Sequence, residues 1–379
     1  MNNVYIIGGL RSYIGIYNGI YKHVPAEVLG AQVLKQVVQK YNLNKQEIDY
    51  IIGGNGVGAG GNITRLMALT AGMDNFVPAF TVDMQCSSGL ECVAVGADKI
   101  ASGNADLIIA GGFESSSTQP RRSYNPNHPD YKDDSYYYSA KFMPDIHREN
   151  IMIEGAELTA LKENISKEEM DKWVLRSHKL AFKAQEANLL QDMIVSVNNS
   201  QKDEGIRPRM SQKLLNRVPK ILPNGKLITP ANACLINDGA GFVVLCSAKY
   251  LKKYNGKPLA KIINSCACGV EPMQSPLGTV AVINKLLQKN DLKSKDIDFF
   301  EVNEAFAVID VLFVRNFPEC IDRYNIFGGA LAYGHPYGAS GTIILLHLLK
   351  ALNLYQGRLG CCVIAGAGGL GSAMLIERI

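Results

Sequence analysis

The chain has 379 residues, of which 47% are hydrophobic and 20% are charged, and its formal net charge is +4 at pH 7. Because a single core usually stops growing near ~250 to 300 residues, this length predicts one large core or two fused ones. The weak positive charge is spread along the sequence, which argues against nucleic acid as a partner and leaves a phosphate-bearing small molecule as a compatible ligand.

The N-terminal segment and the cysteines predict a cytoplasmic protein. Residues 1–15 enter a strand-like pattern without a basic region, a long apolar stretch or a cleavage site, so no secretion is expected. Apolar runs such as residues 342–349 are much shorter than the ~20 residues that cross a bilayer, so no membrane segment is expected. The nine cysteines show no paired spacing, and Cys266 and Cys268 lack the further ligands of a zinc site, so we expect no metal.

The first part of the chain alternates short apolar runs with helical patterns. An apolar run at residues 4–9 precedes residues 26–41, where apolar side chains recur every three or four positions, and a second apolar run begins at residue 48. Strands that alternate with helices in this way predict a mostly parallel sheet in an α/β fold.

Residues 86–112 and residues 338–369 repeat one pattern. Each segment has a Ser-Gly turn of small residues, a helix of similar length and an apolar strand that ends in glycines. The repeat predicts two related halves whose helix N-termini meet at a shared cleft. Between them, residues 120–238 are rich in Pro, Asn, Tyr and charge, which is typical of an insertion that covers a site; a merely solvated insertion fits the composition equally well.

Cys86 is the first candidate for chemistry. It follows a strand-like run and directly precedes the helical pattern that begins near Gly89. A thiol at a helix N-terminus meets unpaired N–H groups and the positive end of the helix dipole, and both favour the nucleophilic thiolate. Taken alone, the position fits a small buried cysteine in a tight turn equally well.

His335 and Asn303 fit the same chemistry. His335 lies in the glycine-rich residues 328–341, a composition that adds little side-chain burial and therefore indicates a site loop. Placed opposite Cys86 by the repeat, His335 would take the thiol proton and donate a hydrogen bond to a thioester oxygen. Asn303 follows another strand-like run, and its amide would fix a water or donate to an oxyanion, although capping of the next helix explains it equally well.

The chain resembles the thiolase family over essentially its whole length. It carries Q-C-S-S-G around Cys86, N-E-A-F-A from Asn303 and G-H-P-Y-G-A-S-G around His335, in the order and at the separations typical of that family. The resemblance implies exchange of acyl groups between CoA thioesters, either by cleavage of a 3-ketoacyl-CoA or by condensation of two acyl-CoAs. CoA and acyl-CoA would be substrates, and no cofactor would be bound permanently.

The resemblance also implies an α/β fold in five layers, α/β/α/β/α, built from two duplicated half-domains and an inserted loop domain. On this pattern, residues 1–119 and 239–268 form the N-terminal half-domain, and residues 269–379 form the C-terminal half-domain. Residues 120–238 form the loop domain, which would act as a lid that grips CoA. The family pattern further implies a homodimer or a homotetramer.

Each matching residue takes the role that its position has in thiolases. Cys86 would be the acylated nucleophile and His335 its activating base. Asn303 would hold the water of one oxyanion hole together with the His335 ring. The backbone N–H groups of Cys86 and Ala367 would form the second oxyanion hole.

Two positions expected to line CoA differ from the family pattern. Met152 and the segment around Cys234 would line the CoA channel. Many members have a histidine before this methionine, where the chain has Ile151, and Cys234 replaces a serine that touches CoA. These changes predict weaker CoA binding or a reshaped acyl pocket.

A further departure concerns proton transfer. Thiolases normally carry a second cysteine in the C-terminal glycine-rich strand, which exchanges a proton with the α-carbon of the substrate. Alignment of the glycines places Ala365 at that position; Cys361 would lie on the same strand face about 13 Å away, and Cys362 would point to the opposite face. Because loss of a positioned acid/base typically lowers rates ~10²- to 10⁴-fold, we expect slow carbon–carbon chemistry while acylation of Cys86 persists.

Three functions therefore fit the sequence. The first is a 3-ketoacyl-CoA thiolase or acetyl-CoA acetyltransferase of fatty acid metabolism with altered proton shuttling. The second is an acyltransferase that passes the acyl group from Cys86 to a non-CoA acceptor, and the third is a catalytically weak acyl-CoA-binding subunit of a complex. Ketosynthases share the duplicated fold and the nucleophilic cysteine, but N-E-A-F stands where they usually present a second histidine, so we expect CoA rather than a carrier protein as the partner.

Overall fold

The computed structural model describes residues 2–144 and 146–379; Met1 and Asp145, which fall inside the predicted N-terminal half-domain and loop domain, lie outside the described residues. The N-terminal part contains β1 (Val4–Ser12), β2 (Gly15–Ile16), α1 (Ala26–Lys40), β3 (Tyr50–Gly54), α2 (Ile63–Thr70), β4 (Ala79–Val82), α3 (Ser88–Ala101) and β5 (Leu107–Ser115). The inserted segment contains α4 (Ile151–Lys162), α5 (Lys167–Glu186), β6 (Ile194–Val195) and α6 (Gln212–Leu215). The remaining elements are β7 (Asn237–Ser247), α7 (Ala248–Leu251), β8 (Ala260–Gly269), α8 (Leu277–Lys289), β9 (Phe299–Val302), α9 (Ala307–Asn316), α10 (Ala330–Tyr333), α11 (Tyr337–Leu354), β10 (Leu359–Gly366) and β11 (Leu370–Arg378).

The strands form one mixed sheet rather than the mostly parallel sheet predicted from the sequence. Their order is β4-β3-β5-β7-β1-β8-β11-β10-β9, with β2 beside β7 and β6 beside β1. Only the strands next to crossover helices are parallel: β3 with β4 and β5, and β9 with β10, together with the short β6 beside β1. The central strands β7, β1, β8 and β11 run antiparallel to their neighbours in this order, and β10 and β11 are joined by a short turn, as an antiparallel pair allows.

The two ends of this sheet form two layers, and the helices form three more around them, which gives the five-layered fold that the resemblance implies. Alternate side chains of each strand enter different cores, as the pleat of a strand requires. One core lies beneath α1 and α2, a second surrounds α3 and α11, and a third lies beneath α8 and α9. Strand β10 shows the alternation, since Cys362 and Ile364 face α3 and α11 while Cys361 and Val363 face α8 and α9.

The predicted repeat corresponds to α3 followed by β5 and α11 followed by β10. Helix α11 is apolar on almost every side and is buried, as expected for a helix at the centre of a large core. Its first turns pack against those of α3, where Thr342 Oγ1 donates to the Gly89 carbonyl oxygen at 2.9 Å. A Cβ on Gly89 would lie 2.7 Å from the Gly338 carbonyl oxygen, so this close approach requires glycine. The two helix N-termini therefore meet at one cleft.

The inserted segment contributes to the core and is not merely solvated. Ala156 and Ala160 of α4, and Met170 and Val174 of α5, are buried in the core beneath α8 and α9. Trp173 packs edge-on against Tyr324 with 5.5 Å between ring centroids. A capping box of Ser166 and Glu169 starts α5.

Strand β8 connects the two halves. It pairs with β1 over three residues and with β11 over nine. The predicted N-terminal half-domain included residues 239–268 and hence most of this strand, so its assignment to that half remains a prediction. None of the helices in residues 2–144 and 146–379 is long and apolar enough to span a bilayer.

Candidate active site

Cys86 lies in the turn between β4 and α3. Gln85, directly before it, has a positive φ of 53°, and its N–H donates to Asp83 Oδ1 at 2.9 Å. Ser88 Oγ accepts the Met84 N–H at 2.8 Å and donates to the Gln85 carbonyl oxygen at 2.6 Å. These local bonds fix the turn and hold the half-buried thiol of Cys86 in one place.

The Cys86 thiol is protonated at neutral pH, contrary to the thiolate that its position beside a helix N-terminus predicted. Burial raises its pKa to about 12, although hydrogen bonds from the backbone N–H groups of Ala367 and of Cys86 itself act to lower it. The loss of hydration thus raises the pKa of Cys86 by more than the nearby N–H dipoles lower it. The same two N–H groups are those predicted for an oxyanion hole, and the structure brings them together at this sulfur.

The surroundings of His335 fix its tautomer. Its backbone N–H donates to Asn237 Oδ1 at 2.8 Å, and its Nδ1 lies 2.6 Å from Ser340 Oγ. Ser340 uses its single hydroxyl proton for the Pro336 carbonyl oxygen at 3.0 Å, so Nδ1 carries the proton and donates to Ser340. Burial lowers the His335 pKa to about 3. At neutral pH the ring is therefore neutral, with an unprotonated Nε2 that can accept a proton.

Asn303 lies directly after β9 and beside this imidazole. Its Nδ2 is 3.4 Å from His335 Nε2, and its backbone N–H donates to the Val363 carbonyl oxygen at 2.9 Å. Asn303 Oδ1 is buried and has no hydrogen-bond partner among the described residues. The capping alternative is wrong, because the N-cap of α9 is Phe306 and no side chain caps that end.

A short bridge brings Cys234 to the Asn303 segment. The Cys234 N–H donates to the Ala305 carbonyl oxygen at 2.9 Å, and the Ala307 N–H donates to the Asn232 carbonyl oxygen at 2.9 Å. Burial raises the pKa of the Cys234 thiol, and the charge of Cys86 raises it further, so the two thiols share one environment.

Met152 lies at the edge of this region. It occupies the first turn of α4 and packs against the core that also contains Ala233 and Ala365. The geometry therefore brings Cys86, Ala367, His335, Asn303 and Cys234 to one cleft and leaves Met152 beside it.

The two cysteines on the same strand as Ala365 do not replace the missing thiol. Ala365 is 6% exposed and, like Cys361, belongs to the core beneath α8 and α9. The two residues are four positions apart along the strand, a distance of about 13 Å. Cys362 belongs to the other face, where its sulfur lies 3.8 Å from the Gly341 carbonyl oxygen of α11.

Glu114 was missed by the sequence interpretation. This buried carboxylate at the end of β5 accepts from the backbone N–H groups of Gly56 and Gly338 at 2.9 Å each, and from Asn55 Nδ2 at 2.9 Å. Burial raises its pKa to about 7 despite these donors. The sequence offered one indication of its role, because an acidic residue in the apolar strand G-G-F-E is unusual for a buried position.

Tyr337 was also missed. It is the first residue of α11, and its ring packs edge-on against the His335 ring with 5.0 Å between centroids. Burial raises the pKa of its phenol, and the ionised forms of Cys234 and Cys86 would raise it further, so the phenol lies within electrostatic range of both thiols. The sequence signal was a tyrosine two positions after the histidine in G-H-P-Y-G.

A half-buried thiol with backbone N–H groups at its sulfur, and a neutral imidazole with one unprotonated nitrogen, are components of acyl transfer through a thioester. Fold and site together therefore fit an acyltransferase with duplicated halves. Among residues 2–144 and 146–379, no group of three potential metal ligands lies close enough together to hold an ion.

Comparison with known proteins confirms the resemblance. The family model for the thiolase N-terminal domain matches residues 4–249, and that for the thiolase C-terminal domain matches residues 256–378. The chain therefore belongs to the thiolase family, and it is an acyltransferase of the thiolase type.

Named relatives agree with this assignment. A protein of Staphylococcus aureus named probable acetyl-CoA acyltransferase is 32% identical over 397 aligned residues that cover 100% of both chains. The crystal structure of Bacillus anthracis acetyl-CoA acetyltransferase matches with a TM-score of 0.92 and 29% identity, over 100% of this chain and 99% of that one. Human mitochondrial 3-ketoacyl-CoA thiolase in complex with CoA matches with a TM-score of 0.92 and 29% identity, over 100% of this chain and 98% of that one.

Proposed function

We propose that the protein is an acyl-CoA C-acyltransferase that works through an acyl-Cys86 intermediate. It cleaves a 3-ketoacyl-CoA with CoA, or condenses two acyl-CoAs in the reverse direction. The observation that carries the proposal is the fixed tautomer of His335, whose Nδ1–H donates to Ser340 and whose Nε2 is left as a base. The acetyl-CoA and 3-ketoacyl-CoA named for similar proteins support the substrate class.

The first step would be acylation of Cys86. His335 Nε2 takes the thiol proton, and the thiolate adds to the carbonyl carbon of the acyl group. The backbone N–H groups of Cys86 and Ala367 stabilise the oxyanion that forms there, because they are fixed before the reaction begins. Collapse of the adduct leaves a thioester on Cys86.

The second thioester would bind on the His335 and Asn303 side of the cleft. Once protonated, His335 Nε2 becomes a donor, and Asn303, which already contacts that nitrogen, positions a water beside it. Met152 and Cys234 would line the channel for the pantetheine arm. The loop domain of residues 120–238 would close over CoA, which is a substrate and not a permanent cofactor.

A second candidate is an acyltransferase that moves the acyl group from Cys86 to a non-CoA acceptor. The methyl side chain of Ala365 favours it, because that chemistry needs no proton exchange at a carbon atom. A third possibility, an acyl-CoA-binding subunit, predicts binding without a covalent adduct.

We also propose that the protein is a cytoplasmic homodimer or homotetramer. Strand β4 has one unpaired edge among the described strands, and the nearby side chains of Leu66, Leu69 and Phe76 are exposed. An unpaired strand edge beside exposed apolar side chains suits pairing with a second copy. Sedimentation of the purified protein as a monomer at micromolar concentration would contradict the proposal.

The decisive experiment combines intact mass with turnover. Purified protein is incubated with acetyl-CoA and with acetoacetyl-CoA, the acyl adduct is measured by intact mass, and CoA-dependent loss of the 3-ketoacyl thioester is followed. We expect both signals, and we expect Cys86→Ala to abolish both. Cys266→Ala is the matched control, since this partly exposed thiol lies near α8 and donates to the Val282 carbonyl oxygen.

The outcomes separate the three candidates. An adduct without cleavage of acetoacetyl-CoA would favour the non-CoA acceptor, and transfer of a labelled acyl group to such an acceptor would then identify it. Absence of any adduct would reject Cys86 as the nucleophile and leave the binding subunit.

A further inference from the structure

The first turn of α11 holds Tyr337 in a fixed position inside the candidate active site. On one side, the His335 N–H is bound by Asn237 Oδ1 at 2.8 Å. On the other side, the Gly338 N–H is bound by Glu114 Oε2 at 2.9 Å. Because His335 and Gly338 are both anchored to side chains outside α11, the backbone of Tyr337 cannot shift without breaking a buried hydrogen bond.

The Tyr337 side chain faces the reacting groups. Its ring packs edge-on against His335 with an interplanar angle of 88°, and its phenol lies within electrostatic range of the Cys234 and Cys86 thiols. Among the residues that the structure describes, no group accepts or donates a hydrogen bond at the phenol oxygen. The hydroxyl is therefore free to act on a substrate bound at Cys86.

We propose that the Tyr337 hydroxyl is the acid/base that exchanges the proton at the α-carbon of the acyl-CoA, the step for which Ala365 carries no functional group. This inference rests on the proposed function, because it names the proton donor for the same cleft. The phenol reaches the cleft from α11, whereas the usual cysteine would project from β10.

In the proposed cycle, every proton is given and taken by groups of the cleft or by the substrates. His335 takes the Cys86 proton, the thiolate adds to the C3 carbonyl, and collapse breaks the C2–C3 bond with its electron pair on C2. Tyr337 gives its proton to C2 and releases acetyl-CoA. The phenolate then takes the thiol proton of incoming CoA, whose thiolate attacks the acyl-Cys86 thioester. The departing Cys86 thiolate recovers its proton from His335.

The charges and burial in the cleft favour this order of proton transfers. Burial keeps the phenol protonated in the resting enzyme, so it is a donor in the cleavage direction. While the phenolate exists, the ring of His335 beside it is an imidazolium. The attraction between these opposite charges is strong in a desolvated cleft and stabilises the intermediate state.

The test measures deuterium exchange at the methyl group of acetyl-CoA in D2O, by mass spectrometry, beside acylation of Cys86 by intact mass. We expect Tyr337→Phe, which keeps the ring, to slow exchange ~100-fold or more and to slow acylation far less. The double variant Tyr337→Phe/Ala365→Cys should recover exchange. Tyr355→Phe is the matched control, because this exposed tyrosine caps the far end of the same helix.

Each alternative outcome is informative. Unchanged exchange in Tyr337→Phe, or no exchange in the native protein while the acyl adduct forms, would overturn the proposal and leave the proposed acylation intact. Equal loss of exchange and acylation in Tyr337→Phe would assign the tyrosine to acylation instead and likewise overturn it. Absence of the adduct in the native protein would reject the proposed function itself.

Discussion

The hydrogen bond between His335 and Ser340 sets the direction of proton transfer in the cleft. Ser340 donates its only proton to a backbone carbonyl, so it can only accept from His335 Nδ1. A neighbour that accepts in this way keeps the other ring nitrogen basic, which is how imidazole tautomers are selected in many sites. The resting pair is therefore a neutral thiol and a neutral imidazole.

This neutral pair predicts a particular pH dependence for Cys86 alkylation. The Cys86 pKa of about 12 lies far above neutrality, and the His335 pKa of about 3 lies far below it. We expect the rate of iodoacetamide alkylation at Cys86, followed by peptide mass mapping, to rise about tenfold per pH unit from pH 7 to 9, because the thiolate fraction does so. A rate that is flat over this range would instead indicate a stable thiolate–imidazolium pair.

At the scale of elements, the contact between α3 and α11 sets the geometry of the cleft. Each helix begins next to one reacting residue, Cys86 before α3 and His335 before α11. The small residues of the first turns let the backbones approach closely. The distance between thiol and imidazole thus depends on glycines that carry no chemistry themselves.

Gly89→Ala tests this dependence. The added Cβ would lie 2.7 Å from the Gly338 carbonyl oxygen, and a backbone atom cannot move aside as a flexible side chain can. We expect the free energy of unfolding to fall by about 1 to 3 kcal/mol and acylation of Cys86 to slow. Urea unfolding and intact mass provide the measurements.

Gly96→Ala, on the same helix, is the matched control. There the added Cβ meets Leu245 Cδ1, the far end of a flexible side chain, at 2.9 Å. Alanine also stabilises a helix interior relative to glycine by roughly 0.5 to 1 kcal/mol, so we expect little net loss. Equal destabilisation by both substitutions would show that the helix contact has no special role.

At the scale of the whole molecule, the inserted segment is tied to the sheet by a buried ion pair. Arg11 of β1 makes two hydrogen bonds with Asp203, at 2.8 and 3.0 Å, and both side chains are buried. Asp203 Oδ1 also accepts the Ile14 N–H at 2.8 Å. The pair joins the segment of the insertion between β6 and α6 to the strand at the centre of the sheet.

Asp203→Asn should therefore destabilise the whole fold. The change leaves the Arg11 charge buried without a counter-charge, and breaking a buried pair in this way typically lowers stability by about 3 to 5 kcal/mol. Thermal unfolding measures the effect. Asp192→Asn is the control, since its bond to Lys350 lies at the surface and such pairs contribute about 1 kcal/mol or less. A loss confined to that range in Asp203→Asn would contradict the tethering role.

The order of the sheet shows where sequence patterns fail. Alternation of strands and helices correctly predicted the α/β class, but it predicted a mostly parallel sheet, whereas parallel pairs occur mainly around β3 and between β9 and β10. It could not reveal that β7, β1, β8 and β11 form an antiparallel centre, because each strand carries an apolar pattern that is the same for either direction. The partner and the direction of each strand are set only when the whole chain packs around its hydrophobic cores.

The sequence by itself determined the family, the duplication, the segments around Cys86, Asn303 and His335, and the alanine at position 365, because local motifs and their spacing are properties of short stretches of chain. Only the tertiary structure decided the protonation of Cys86 and His335, since burial and the N–H of Ala367 come from remote parts of the chain. It alone also brought Tyr337 to the thiols and placed the insertion in the core. Desolvation and proximity depend on which distant residues meet, and no local pattern encodes that.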